Sequence, residues 1–213
     1  RRKLPHVGFR QTFASTETGL KGTVLEPAEH DLALSDPASE HLLLSCGRPQ
    51  TNVQVAVWDA DGNEVPPGTV GEIAVRSEGN IRGFWNQPKA TAESVVNGWV
   101  LTGDVARMDE QGYFYLVDRK KDVIVTGAFN VYPSEVERVI QMRPAVYEVA
   151  VIAVPSEQWG EAIKACVVLK PGTVCSAQDI ISFCEGKLAN FKKPKSVDFH
   201  DALPRNPTGK ILY

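Results

Sequence analysis

Four short clusters hold residue types that could carry chemistry. Phe13-Ala14-Ser15-Thr16-Glu17-Thr18-Gly19 is a hydroxyl-rich loop with one carboxylate, ending in glycine. Hydroxyls can donate to phosphate oxygens, and a lone carboxylate suits Mg²⁺, which keeps most of its waters. Thr102-Gly103-Asp104 follows the apolar Trp99-Val100-Leu101, so Asp104 reads as a carboxylate at a strand end. There it could accept two hydrogen bonds from a ribose diol, as acidic residues do in dinucleotide sites. Asp118-Arg119-Lys120-Lys121-Asp122 is a charged run, followed by Thr126-Gly127-Ala128-Phe129-Asn130. Asn206-Pro207-Thr208-Gly209-Lys210 is a turn presenting one lysine. It is not a Walker phosphate loop, because Pro204 stands where the first glycine is needed and Ile211 follows the lysine. Taken one at a time, each cluster also fits an ordinary surface: a polar loop, an Asp bonding its own turn, a solvated charge run, a solvated lysine.

The elements that must position these clusters are legible in outline. Val53, Val55 and Val57 alternate with Gln54 and Ala56, giving a half-buried strand. A turn at Asp61-Gly62 leads to a second alternating run through Ile73 and Val75. Tyr113 to Val117 is a further strand, entered from Gln111-Gly112. The texture then changes. Ser134 and Glu137 have capping-box spacing ahead of Val136, Val139 and Ile140, which predicts a helix. Glu148 to Val154 reads as a buried strand, and Ile163, Ala165, Val167 and Leu169 line the next. Ser176 with Asp179 opens a second helix through Ile180, Ile181, Cys184 and Leu188, and a short strand surrounds Val197 and Phe199. The expectation is a β-rich segment, 1–117, followed by a small α+β domain, 118–213, with the boundary at Asp118.

Composition narrows the classes. The 213 residues carry 23 Lys plus Arg against 26 Asp plus Glu, a net charge of −3, so nothing favours a nucleic acid or an anionic membrane as partner. Hydrophobic residues at 43% fit a packed domain, and no apolar run approaches the roughly 18 residues of a bilayer span. Cys46, Cys166, Cys175 and Cys184 include no C-x-x-C pair, which reads as reduced thiols in a cytoplasmic protein. His6, His30, His41 and His200 lie too far apart in sequence for a zinc pairing.

Taken together and in order, the clusters resemble the adenylate-forming superfamily: acyl-CoA synthetases, peptide-synthetase adenylation domains and luciferases. The family's aromatic-Gly-x-Thr-Glu loop is similar to Phe13 to Glu17, with Ala14 in place of glycine. Its Gly-Glu-(Leu/Ile) strand and later Gly-aromatic and Pro resemble Gly71-Glu72-Ile73, Gly83-Phe84 and Pro88. Its Thr-Gly-Asp, hinge Asp-Arg and closing Pro-Thr-Gly-Lys-Ile are similar to Thr102-Gly103-Asp104, Asp118-Arg119 and Pro207 to Ile211. The family's phosphate loop lies upstream of the first of these, and nothing like it precedes Phe13. The chain also opens on Arg1 and stops at Tyr213, just past the lysine. The expectation is therefore the C-terminal part of a longer enzyme: the tail of the large domain and the whole small one.

The resemblance implies an ATP-dependent acid–thiol ligase that forms acyl-AMP and passes the acyl group to CoA. It implies Lys210 as the catalytic cation, Phe13 on the adenine, Thr16 on a phosphate, Glu17 on Mg²⁺ and Asp104 on the ribose. Arg119 and Lys121 would add nucleotide contacts. Gly127 and Ala128 would lie along the pantetheine arm of CoA, and Asp118 would be the hinge about which the small domain turns between half-reactions. Phe129 to Glu137 resembles the fatty- or aryl-acyl-CoA branch, while the substrate acid stays open. The implied partners are a small carboxylic acid, ATP, CoA and the N-terminal remainder of the enzyme, and a homo-oligomer is left open. Two alternatives stand beside this reading: a module loading a carrier protein, and a piece that by itself is non-catalytic.

Overall fold

Alternating apolar and polar residues build three sheets, described here for residues 7–213 of a computed structural model. His6 lies outside the described residues. The chain divides into two units, Arg1–Lys120 and Lys121–Tyr213.

In the first unit, β1 (Gln11–Ala14), β2 (Gly22–Leu25) and, after α1 (Pro27–Ser35), β3 (Arg48–Pro49) make a three-stranded antiparallel sheet. A second antiparallel sheet uses β4 (Gln54–Trp58), β5 (Val70–Arg76), β6 (Val95–Val96), β7 (Trp99–Met108) and β8 (Phe114–Arg119), with α2 (Pro88–Ser94) just before β6. Its order is β4-β5-β7, and β6 and β8 both pair with β7, at Trp99–Val100 and Asp104–Met108 respectively. Val53, Ile73, Val75 and Ala106 pack between strands as one apolar cluster, and Phe13 leans on it. Asp118, the expected boundary, is still inside β8, opposite Val105.

The second unit is α+β around one core. β9 (Ile124–Thr126) and β10 (Phe129–Val131) form a hairpin, followed by α3 (Pro133–Gln141), β11 (Val146–Ser156), β12 (Gly160–Leu169), α4 (Ala177–Phe183) and β13 (Ser196–Phe199). The sheet order is β10-β9-β12-β11, with β13 parallel to β12. Val136 and Ile140 of α3 and Ile180 of α4 are buried against Ile124, Val151 and Ile163 of the sheet.

The two helix starts differ in mechanism. α4 has the expected capping box: the Ser176 hydroxyl accepts from the Asp179 amide at 3.2 Å, and the Asp179 carboxylate accepts from the Ser176 amide at 2.9 Å. α3 does not. Its N-cap is Tyr132 and Pro133 is the first helical residue, so its preset φ opens the helix without a side-chain cap. Glu137 turns to the sheet instead and accepts the Val151 amide at 2.8 Å. Ser176→Ala should therefore lower the stability of this unit by about 1 kcal/mol, read as a drop in the urea midpoint.

Candidate functional site

The sheet of the first unit breaks its own register once. Glu72 of β5 faces Val105 of β7 and Ala74 faces Leu101, so the single residue Ile73 lies opposite Thr102, Gly103 and Asp104. The surplus is a bulge, and Gly103 takes φ +71°, open to glycine at no steric cost. Asp104 was expected at a strand end; it sits in mid-strand, because the bulge lets β7 continue to Met108. Three contacts fix the bulge. The Thr102 hydroxyl donates to the Ile73 carbonyl at 3.0 Å and accepts the Asp104 amide at 3.2 Å. The Glu72 carboxylate accepts the Gly103 amide at 2.9 Å.

Electrostatics gather on the same spot. Arg119 Nε lies 2.8 Å from Asp104 Oδ1, with Asp104 14% and Arg119 55% exposed. Lys120 Nζ lies 2.8 Å from Glu72 Oε2. Burial pushes the Asp104 carboxyl above its ordinary value; Arg119 pulls it down and the nearby Glu72 charge pushes it further up.

The hydroxyl-rich loop joins β1 to β2. The Thr18 hydroxyl is committed internally, donating to the Ser15 carbonyl and accepting the Ser15 amide, both at 3.1 Å. Thr16 is exposed, and the Ser15 hydroxyl is buried with no partner among the described residues. The Glu17 carbonyl accepts the Ile81 amide at 2.8 Å, which ties the loop to the segment after β5. Ala14 ends β1 at ordinary negative φ, so the site of the family's glycine takes a methyl group here without strain. Phe13 is half-buried, with part of its ring against the apolar cluster.

In the second unit the lysine turn is organised by Asn206. Its Oδ1 accepts the Thr208 amide, the Thr208 hydroxyl and the Lys210 amide at 3.0, 2.7 and 2.9 Å. The Lys210 carbonyl in turn accepts the Asn206 amide at 2.9 Å. Arg205 bonds the Gly209 carbonyl at 2.7 Å and pairs with Glu148, while Ile211 packs on Ala150, Val168 and Leu203. The backbone of Lys210 is thus pinned, and its exposed ammonium has no partner among the described residues. Gly127-Ala128 is the two-residue turn of the β9–β10 hairpin. Gly127 has φ +60° at the first turn position and Ala128 a negative φ at the second, as a type II′ turn requires. Trp159 flanks this turn: its carbonyl accepts the Gly127 amide at 2.8 Å.

Residues 1–85 match the AMP-binding enzyme family, and residues 135–210 match the AMP-binding enzyme C-terminal domain. The chain belongs to the AMP-binding enzymes. Over 202 residues it is 46% identical to the long-chain-fatty-acid–CoA ligase FadD13 of Mycobacterium tuberculosis, covering 95% of this chain and 38% of that protein. Over 204 residues it is 41% identical to the fatty acid–[acyl-carrier-protein] ligase ScoC of Streptomyces coeruleorubidus, covering 96% and 38%. Among solved structures, ATP-bound MatB from Rhodopseudomonas palustris superposes with a TM-score of 0.83 at 34% identity, covering 95% of this chain and 38% of that one. The chain thus spans well under half the length of these AMP-binding enzymes.

The fold brings together Asp104 and Arg119, and with them two residues that motif reading passed over as site residues, Glu72 and Lys120. Lys121 belongs to the other unit, is 80% exposed, and lies 4.0 Å from Asp122. Asn206 was likewise quoted only as the start of a turn. The signal was an Asn two residues before Thr208, the spacing at which an Asn side chain bonds its own turn. The described residues contain no cluster of three or more His, Cys, Asp or Glu that could cage a metal, and no helix long and apolar enough to cross a membrane. Mg²⁺ carried on a triphosphate needs only one or two protein carboxylates, so the lack of such a cluster does not count against a single carboxylate such as Glu17. The four cysteines are free, and burial pushes the Cys46, Cys166 and Cys184 thiols up, away from reactivity.

The raised Asp104 carboxyl has a stability consequence for an AMP-binding enzyme. Its folded value exceeds its unfolded one, so the folded state holds the proton longer. Its contribution therefore falls as pH rises from the ordinary Asp value of ~3.9 through the raised folded value, and stays lower above it. Asp104→Asn should unfold at higher urea than wild type at neutral pH, with the gap closing below the unfolded Asp value. Parallel urea titrations across that range read the effect, and a constant gap would remove burial as its cause.

Proposed function

We propose that this chain forms the nucleotide-contacting and lysine-bearing part of an ATP-dependent acid–thiol ligase of the acyl-CoA synthetase type. The supporting observation is 46% identity, over 95% of the chain, to a protein named as a long-chain-fatty-acid–CoA ligase. In the first half-reaction a carboxylate oxygen attacks the α-phosphorus of ATP, forming acyl-AMP and releasing pyrophosphate. Two anions must meet, so fixed positive charge is the main catalytic resource. Lys210 supplies it, its backbone pinned by Asn206 and its ammonium uncommitted. Asp104 accepts the ribose hydroxyls, Phe13 contacts the adenine, Thr16 donates to a phosphate oxygen, and Arg119 and Lys121 add positive charge to the nucleotide. When bound, Mg²⁺ would neutralise phosphate charge, with Glu17 as its protein ligand. In the second half-reaction the thiol sulfur attacks the acyl carbonyl and AMP departs. Here Gly127 and Ala128 line the path of the pantetheine arm, and the small domain turns about Asp118 between the two steps.

The acceptor thiol has two candidates. CoA is our reading, and the 41% identity to a fatty acid–[acyl-carrier-protein] ligase favours a phosphopantetheinyl carrier as the second. Both present the same arm to the Gly127 turn. Supplying purified acyl-AMP with either CoA or holo-carrier protein, and measuring thioester formed, decides between them: the CoA reading expects thioester with CoA alone.

The role of Lys210 has a sharper test in the protein that carries this chain. Lys210→Ala should cut acid-dependent pyrophosphate exchange by ~10²–10³-fold, the usual cost of removing one preorganised charge-stabilising group. Thioester formation from supplied acyl-AMP should stay within a few-fold of wild type. Equal loss in both half-reactions would refute the assignment.

A further inference from the structure

We propose that Glu72 is a positioning residue for ribose recognition, setting the direction of Asp104 through the Gly103 amide; this rests on the ribose reading of Asp104 given above. The geometry of the bulge carries the inference. Gly103 is the central surplus residue, with φ +71°, and, its chain neighbours aside, no described atom lies within 4 Å of where its Cβ would be. Nothing packs against it on that side. Its amide is held by Glu72 Oε1 at 2.9 Å, one residue before Asp104. Thr102 tethers the preceding residue to Ile73, so Glu72 supplies the contact at the turning point itself.

The choice of a carboxylate is informative. The Glu72 side chain is only 10% exposed and lies close enough to Asp104 for the two negative charges to work against each other. A sheet that needed only a filler at this position would be better served by an apolar or neutral residue. Lys120 offsets the Glu72 charge at 2.8 Å, just as Arg119, the residue before it, offsets Asp104. Two carboxylates on β5 and β7 thus face two consecutive cations, Arg119 closing β8 and Lys120 just after it. Asp104 is oriented from both sides: its backbone directly by the Thr102 hydroxyl and one residue earlier by Glu72 through Gly103, its carboxylate by Arg119.

The test compares kcat/KM for ATP and 2′-deoxy-ATP in the protein that carries this chain, using wild type, Asp104→Ala, Glu72→Ala and Glu72→Gln. Wild type should prefer ATP by on the order of tenfold, as expected for a hydrogen bond to an ionised acceptor. Asp104→Ala should abolish that preference. Glu72→Ala should largely abolish it too, mainly through a higher KM for ATP, whereas Glu72→Gln should keep it, because the amide oxygen still accepts from Gly103. Glu72→Ala lowering both nucleotides by the same factor would overturn the proposal as a merely structural effect. Glu72→Gln losing the preference as fully as alanine would also overturn it, by showing that charge and not the Gly103 bond matters. Should Glu72→Ala fail a melting control, Glu72→Asp, one methylene too short to hold the amide, is read by the same ratio. A wild type without preference, or an Asp104→Ala that retains it, would strike the ribose reading itself and the proposal with it. That failure is visible before Glu72 is altered.

Discussion

One residue of β5 opposite three of β7 is the constraint from which the chemistry of the first unit follows. An antiparallel ladder in continuous register would give Asp104 an ordinary place among the sheet residues. Inserting the surplus at Thr102-Gly103-Asp104 re-aims that side chain while the strand continues on both sides. The bulge exposes backbone groups that the ladder would have paired, and each needs a new partner. Thr102 and Glu72 are those partners. The site is thus part of how the sheet satisfies its own hydrogen bonds, and weakening one weakens the other.

The second unit meets the same problem with a turn. In the role proposed for Lys210, a directed charge would not sit on a loose tail, because its long side chain already carries large rotamer freedom. Backbone freedom is removed first. Asn206 gathers two amides and a hydroxyl onto one oxygen, Arg205 holds the Gly209 carbonyl, and Ile211 plants the strand-like end on an apolar cluster of β11 and β12. Only the side chain of Lys210 remains free to adjust.

Sequence periodicity exposed much of this and missed a definite part. The strands through Val55, Ile73 and Val151, and the capping box at Ser176, are local patterns that survive packing. The bulge is not local. It exists only as a mismatch of register between β5 and β7, and no spacing within either strand announces it. The capping-box spacing at Ser134 and Glu137 located the helix, although its N-cap is Tyr132, Pro133 is its first residue and Glu137 accepts a strand amide. The family resemblance pointed to Asp104, Arg119 and Lys210, since those residues stand inside recognisable motifs. It did not point to Glu72, Lys120 or Asn206, whose contacts here are with neighbouring residues.

The strained economy of Asp104 ties these levels together. Its burial disfavours the charged form, yet a carboxylate is what a diol would bind, and Arg119 is too exposed to compensate strongly. The ionisation of Asp104 therefore stays unfavourable in this fold. Two hydroxyl donors arriving on a ribose would stabilise the charged carboxylate where water no longer reaches it fully, so part of the binding energy is relief of a cost already present in the fold. A more exposed aspartate would fold more comfortably and gain less from the ligand. Glu72 sharpens this contrast, since its charge raises the cost of ionising Asp104 while its hydrogen bond fixes where that carboxylate points.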